Sequence, residues 1–190
     1  MKKYINQYRT ETVRGENNKK IRNVIYTGDY YEVKKEKVKR KDFFLSAVFF
    51  MILHFAAGML NTPSSRVFYV VLPYTILFLP GVYFIMGAFT FNKASKKMEF
   101  PTYDKSIVRI RRSLRGMSWG VGYLLIAEMI FTVIHLNQNG LQNQEWLREG
   151  GFLVICVANF VQIIRNKRNI DGVEVKISPS SKKLKGGSEL

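Results

Sequence analysis

Four apolar runs divide the chain, at 43–60, 67–91, 116–136 and 150–164, and the polar residues collect between and outside them. Their lengths are 18, 25, 21 and 15 residues. A helix rising about 1.5 Å per residue needs roughly 20 apolar residues to cross a hydrocarbon core of about 30 Å, so the first three qualify as spans. The fourth run gains length from its flanks. Trp146 stands just before it and Arg165, Lys167 and Arg168 just after it, an aromatic anchor at one interface and snorkelling cations at the other. The expected fold is an all-α membrane protein of four transmembrane helices, two helical hairpins, with spans at 43–60, 67–91, 116–136 and 147–165. The membrane domain is then 42–166, with a cytoplasmic loop at 92–115.

The polar remainder carries its own patterns. Residues 1–41 form a basic segment whose first twenty positions are too polar to demand structure, and no cleavable leader is expected in them. The stretch "RNVIYTGDYYEV" sets two β-prone pieces around Thr27, Gly28 and Asp29, which predicts a hairpin over 22–34. "GVEVKI", in the tail 167–190, offers a further strand before the chain lapses into a linker-like end. Small cytoplasmic β-prone segments are therefore expected at both ends of the bundle, too few for a core of their own. In the middle loop, Ile107, Ile110 and Leu114 recur at helical spacing among Lys105, Arg109, Arg112 and Arg115, which predicts an amphipathic helix at the inner interface.

Charge then sets the orientation. Lys and Arg number 13 in residues 1–41, 1 in 61–66, 8 in 92–115, 1 in 137–149 and 7 from 165 onward. Cations near membrane-flanking ends stay on the cytoplasmic side, so both termini and the middle loop are expected inside, and four crossings satisfy the alternation where three do not. The net charge of +16 is then mostly topology signal. It calls for no nucleic acid; the expected partners are anionic headgroups, other membrane subunits or further copies of the chain. Lys34, Lys35, Lys37 and Arg40 before the first span, and Arg109, Arg111 and Arg112 before the third, are the candidate lipid-headgroup or partner contacts. The Lys-, Asn- and Ile-rich composition with very short exported connections has the style of a small bacterial inner-membrane protein.

Chemistry is sparse. With 1 Cys and 2 His there is no metal-ligand spacing and no phosphate loop, so no cofactor is expected and the chain reads as non-enzymatic. "GMSWG" at 116–120 matches a nucleophile elbow in letters only, because it opens a membrane helix and no histidine lies at its level; its glycines suit close helix packing. The sharper feature is Glu128, alone in "GYLLIAEMIFTVIHL". Counted at about 1.5 Å per residue, Glu128, His54 and Tyr74 come to about 18, 16 and 20 Å above the inner boundary. A carboxyl near the midplane costs at least a few kcal/mol unless paired or protonated. Glu128, His54, Tyr74 and Asn159 are therefore the candidate intramembrane cluster. Thr132 and His135 continue the Glu128 stripe toward the outside, and Gln162 and Asn166 continue that of Asn159 toward the inside. Two functions follow as expectations: a subunit or accessory partner of a larger membrane assembly, or a small proton- or cation-coupled transporter or channel built on a Glu–His pair.

Overall fold

The computed structural model describes residues 4, 7–14, 20–35, 39–137 and 142–179. Strands β1 (Tyr8–Arg14), β2 (Lys20–Tyr26) and β3 (Tyr30–Lys35) precede helix α1 (Arg40–Met59). A 3₁₀ turn, Ser64–Arg66, leads into α2 (Phe68–Ile76) and α3 (Phe78–Lys93). After β4 (Lys97–Glu99) come α4 (Phe100–Tyr103), a π turn at Asp104–Val108 and α5 (Arg109–Asn137). The chain ends with α6 (Asn143–Asp171) and β5 (Glu174–Ser178). Among the described residues four helices are long and apolar enough to cross a membrane: Arg40–Met59, Phe68–Lys93, Phe100–Leu136 and Asn143–Asp171.

Helix neighbours are α1 with α3 and α6, and α5 with α3, α2 and α6, which closes a four-membered ring. The inward positions follow the 3.5-residue repeat of helices that wrap shallowly about one another. On α6 they are Glu149, Phe152, Cys156, Asn159, Ile163, Asn166 and Ile170; on α1 they are Phe43, Ala47, Phe50, His54 and Ala57. The outward faces are apolar as well, with Leu45, Phe49, Ile52 and Phe55 exposed on α1 and Val154, Val157 and Val161 on α6. A bundle that buries its polar residues and exposes its aliphatic ones suits hydrocarbon as solvent.

The second span is broken. Pro73 lies inside α2, and α2 and α3 meet at Leu77, four residues from one proline and three from Pro80. Rings without amide protons on both sides of this joint interrupt the helical ladder. At the other end of α1, Asn61 takes a left-handed conformation, φ 47°, the stop a short polar side chain tolerates best.

The polar segments differ from expectation in pairing. No hairpin forms over 22–34: β2 pairs antiparallel with β1, Tyr8 opposite Tyr26 and Arg14 opposite Lys20. β3 is instead the centre of a sheet ordered β4-β3-β5, with Tyr31 opposite Met98 on one side and Ile177 on the other. The strand in the tail is thus present, whereas β1 and β4 were too polar to stand out. Tyr26 stitches the two sheets, donating to the Asp29 carbonyl at 2.9 Å and accepting from the Phe100 amide at 3.0 Å. This sheet gathers residues from before α1, between α3 and α4 and after α6 at one end of the bundle, its basic end.

The amphipathic helix expected over the middle loop is not a separate interfacial element. It runs without a stop into the third span, and Ile107, Ile110 and Leu114 are fully buried in the protein core, so their stripe faces α3 and not lipid. A Cβ on Gly87 would stand 3.0 Å from the Ile110 side chain and 3.3 Å from its amide nitrogen. Glycine there permits the approach.

Candidate functional site

Three polar joints tie the helices together, and of the four predicted cluster members His54 and Tyr74 share one, Glu128 belongs to another and Asn159 to none. In the first, His54 on α1 and Tyr74 on α2 cross-bond: His54 Nε2 lies 3.0 Å from the Tyr74 carbonyl, and the Tyr74 hydroxyl donates to the His54 carbonyl at 2.6 Å. Because a carbonyl only accepts, Nε2 carries the ring proton. The two rings stack at 4.2 Å, and Phe78 closes edge-on at 4.6 Å from the imidazole. The joint sits one turn before the α2–α3 break, so His54 braces a kinked helix.

Glu128 belongs to a second joint. Its carboxyl is completely buried and lies against the Glu149 carboxyl and the Ser64 hydroxyl, although neither of its oxygens has a hydrogen bond of regular geometry. Glu149 is better served: the Ser64 amide donates to Oε1 and the Ser64 hydroxyl to Oε2, both at 2.7 Å. That assignment orders the rest. With its own proton committed to Glu149, Ser64 Oγ accepts from Thr62 Oγ1 at 3.0 Å, and Thr62 Oγ1 accepts from the Ser65 amide at 3.3 Å. The Ser65 hydroxyl closes the turn on the Thr62 carbonyl at 2.6 Å. Thr62, Ser64, Glu128 and Glu149 are all buried, so the α1–α2 connection is folded inward over two carboxyls.

The pair expected between Glu128 and His54 is accordingly replaced by Glu128 with Glu149 and His54 with Tyr74. Depth counting assumed straight helices, and Glu149, inside the expected span 147–165 but just before its apolar run at 150–164, was not counted among the polar residues of the cluster. In the structure α6 begins at Asn143, which makes Glu149 an inward residue. The signal was present in the sequence: Glu149, Asn159 and Asn166 are separated by 10 and 7 residues, multiples of one helical face. Thr62 and Ser64, in a six-residue connection, gave no such warning.

The third joint lies toward the basic end. Gln162 donates to the Ser46 carbonyl at 2.6 Å and to its hydroxyl at 2.9 Å, and Asn166 donates to the same hydroxyl at 2.7 Å, which ties α6 to α1. Asn159 is buried between this joint and the carboxyls, its Oδ1 unbonded. His135 bonds back to the Phe131 carbonyl at 3.0 Å and stacks on that ring. Ser118 donates to the Leu114 carbonyl at 2.8 Å, a back-bond within its own helix.

The basic residues separate in the same way. Arg40 is engaged by the bundle, bonding the Ala94 and Ser95 carbonyls and covering the Phe91 ring at 4.9 Å. Arg111 donates to the Ile170 carbonyl at 3.3 Å and stands 3.8 Å from Asp171, where a cation favours the C-terminus of α6. Lys34 is exposed on β3; the Lys35 side chain and Lys37 lie outside the described residues. Arg109 and Arg112 instead line a cleft against α3 with Lys105, Tyr83 and Pro80. A cleft of about 920 Å³ runs between α1 and α6 past exposed Leu45, Phe49 and Val161. Among the described residues no group of three His, Cys, Asp or Glu side chains is arranged to hold a metal. Compared with known families, curated proteins and solved structures, the chain matches no family model, no curated protein and no solved structure.

Proposed function

We propose that this chain is a non-enzymatic multi-pass membrane protein, with both termini and the basic end in the cytoplasm, that serves as a subunit or accessory partner of a larger membrane assembly. The observation supporting it is the composite sheet: three segments far apart in sequence converge at one end of the bundle to build one surface. The polar groups within the spans, meanwhile, are largely consumed in joints between helices, where such contacts act as glue. β5 forms an edge of that sheet with Ile177 exposed, a template for another chain's strand. Reporter fusions at residues 100 and 190 should report one side of the membrane and a fusion at 140 the other. Isolation in native nanodiscs at native expression should yield a particle of defined mass larger than the 22.1 kDa chain plus its lipid. Recovery of the single chain alone would refute the assembly role.

A second reading, proton- or cation-coupled transport in an integral bacterial membrane protein, is favoured by the buried acid pair. Both Glu149 oxygens already accept from Ser64, and Glu128, buried beside them with no regular hydrogen bond of its own, is the carrier on this reading, since adjacent carboxylates do not readily both ionise. On this reading Glu128→Gln abolishes proton-coupled flux in vesicles, and unchanged flux excludes it.

A further inference from the structure

We propose that the cleft between α3 and α5 binds one anionic phospholipid, its phosphate held by Lys105, Arg109 and Arg112 and one acyl chain running past Pro80 toward Trp119. The inference rests on the membrane reading above.

One wall of the cleft is apolar, Leu79, Pro80 and Tyr83 of α3; the other carries the three cations, around a volume of about 410 Å³. Arg109 lies 5.6 Å over the Tyr83 ring. Asp104 stands in the cleft but accepts the Tyr4 hydroxyl at 2.6 Å, and among the described residues no carboxylate pairs with any of the three cations. Their depth is the unusual part. A Cβ on Gly87 would meet Ile110 at 3.0 Å and one on Gly116 would meet Pro80 at 3.8 Å, so Arg112 comes level with about Phe84, roughly one turn to the basic side of the middle of the apolar helix Phe68–Lys93. Met86 and Phe89 are exposed still nearer the basic end. Three cations set against one carboxylate, Asp104, leave an excess of positive charge beside an apolar wall, which is costly against hydrocarbon. A phosphate drawn into the cleft removes that cost, and guanidinium groups match its oxygens in charge and geometry.

The second half of the ligand has its place as well. Pro80 also lines an adjoining apolar cleft of about 530 Å³ whose walls include Leu72, Ile76, Gly116 and Trp119. The two clefts thus form a track from cations to hydrocarbon, the order of parts in a phospholipid. Gly116 leaves its floor open.

The chain holds 2 Trp, so Trp146→Phe leaves Trp119, exposed on this track, as the sole tryptophan, excited selectively over the tyrosines. The full-length variant is reconstituted into mixed phosphatidylcholine and phosphatidylglycerol vesicles in which one lipid or the other carries brominated acyl chains. Brominated phosphatidylglycerol should quench Trp119 at a lower mole fraction than brominated phosphatidylcholine, by roughly fivefold per engaged cation. Arg109→Gln with Arg112→Gln, or the milder Lys105→Gln at an exposed position should the first fold poorly, should bring the two curves together. Coincident curves in the parent, or a preference that survives both variants, overturn the site. Displacement of the brominated lipid by millimolar glycerol phosphate would reassign it to a soluble phosphate and overturn the lipid. Failure to enter vesicles at all would instead defeat the membrane reading on which it rests.

Discussion

Replacing Glu149 by alanine removes the one acceptor that serves both the amide and the hydroxyl of Ser64, at 2.7 Å each. Both donors are fully buried, so neither recovers a bond to water. Hydrogen bonds to a charged acceptor contribute about 1.5–3 kcal/mol each, which gives a gross loss of roughly 3–6 kcal/mol; relief of the Glu128 carboxyl from its neighbour offsets part of it. A net destabilisation of about 3 kcal/mol corresponds to a fall in Tm of about 6–12 °C for a chain of this size. Glu128→Gln keeps Glu149 and its two bonds and, because neither Glu128 oxygen has a regular hydrogen bond to lose, should stay within about 1 kcal/mol of the parent. Cys156, the single cysteine, is buried two turns along α6 from Glu149, and its reaction with a fluorogenic thiol dye during heating reports unfolding of the joint directly. A Glu149→Ala Tm within about 2 °C of the parent, or a Glu128→Gln variant weaker than Glu149→Ala, would refute the assignment of Glu149 as the acceptor that holds the joint.

Tyr74→Phe keeps the ring stack on His54 and loses only the hydroxyl bond, so the same dye assay should register about 0.6–1.7 kcal/mol, whereas His54→Ala also opens a cavity beside Phe50 and Phe78 and should cost about 3 kcal/mol; the reverse order would disprove a bracing role for the imidazole. Gly87→Ala presses on the Ile110 backbone and should destabilise by about 1 kcal/mol or more, while Gly122→Ala, which meets nothing within 4 Å, should stabilise by up to about 1 kcal/mol through helix propensity. Equal effects would contradict the packing described. Lost contact with water, then the Glu99 carboxylate at 2.9 Å, pushes the Tyr8 phenol from 10.0 up to about 12. Because the folded value is raised, the stabilising contribution of Tyr8 holds below pH 10 and is lost as pH rises toward 12; a difference titration of parent against Tyr8→Phe should place its midpoint near the upper value, and a midpoint at 10.0 would count against the contact.

Much of the bundle was legible before any coordinates. Residues 43–60 and 67–91 coincide closely with α1 and with Phe68–Lys93, because runs of apolar residues this long have few folds open to them. The break at Leu77 was foreshadowed by Pro73 and Pro80, whose missing amide protons act locally. The joints were less legible. In a bundle whose outward side chains are as apolar as its inward ones, hydrophobic periodicity loses contrast, and only scattered polar residues mark the inward face.

The sequence by itself determined the number of long apolar helices, the kinked second span and the alternation of cations, since each depends on composition over short windows. Tertiary structure alone decided that Glu128 meets Glu149 and not His54, that β3 pairs with β4 and β5 and not with β2, and that Arg109 and Arg112 face a cleft while Arg111 caps α6. Those outcomes depend on helix rotation, on axial offset at a broken helix and on which strands arrive at one end together. No single segment contains that information.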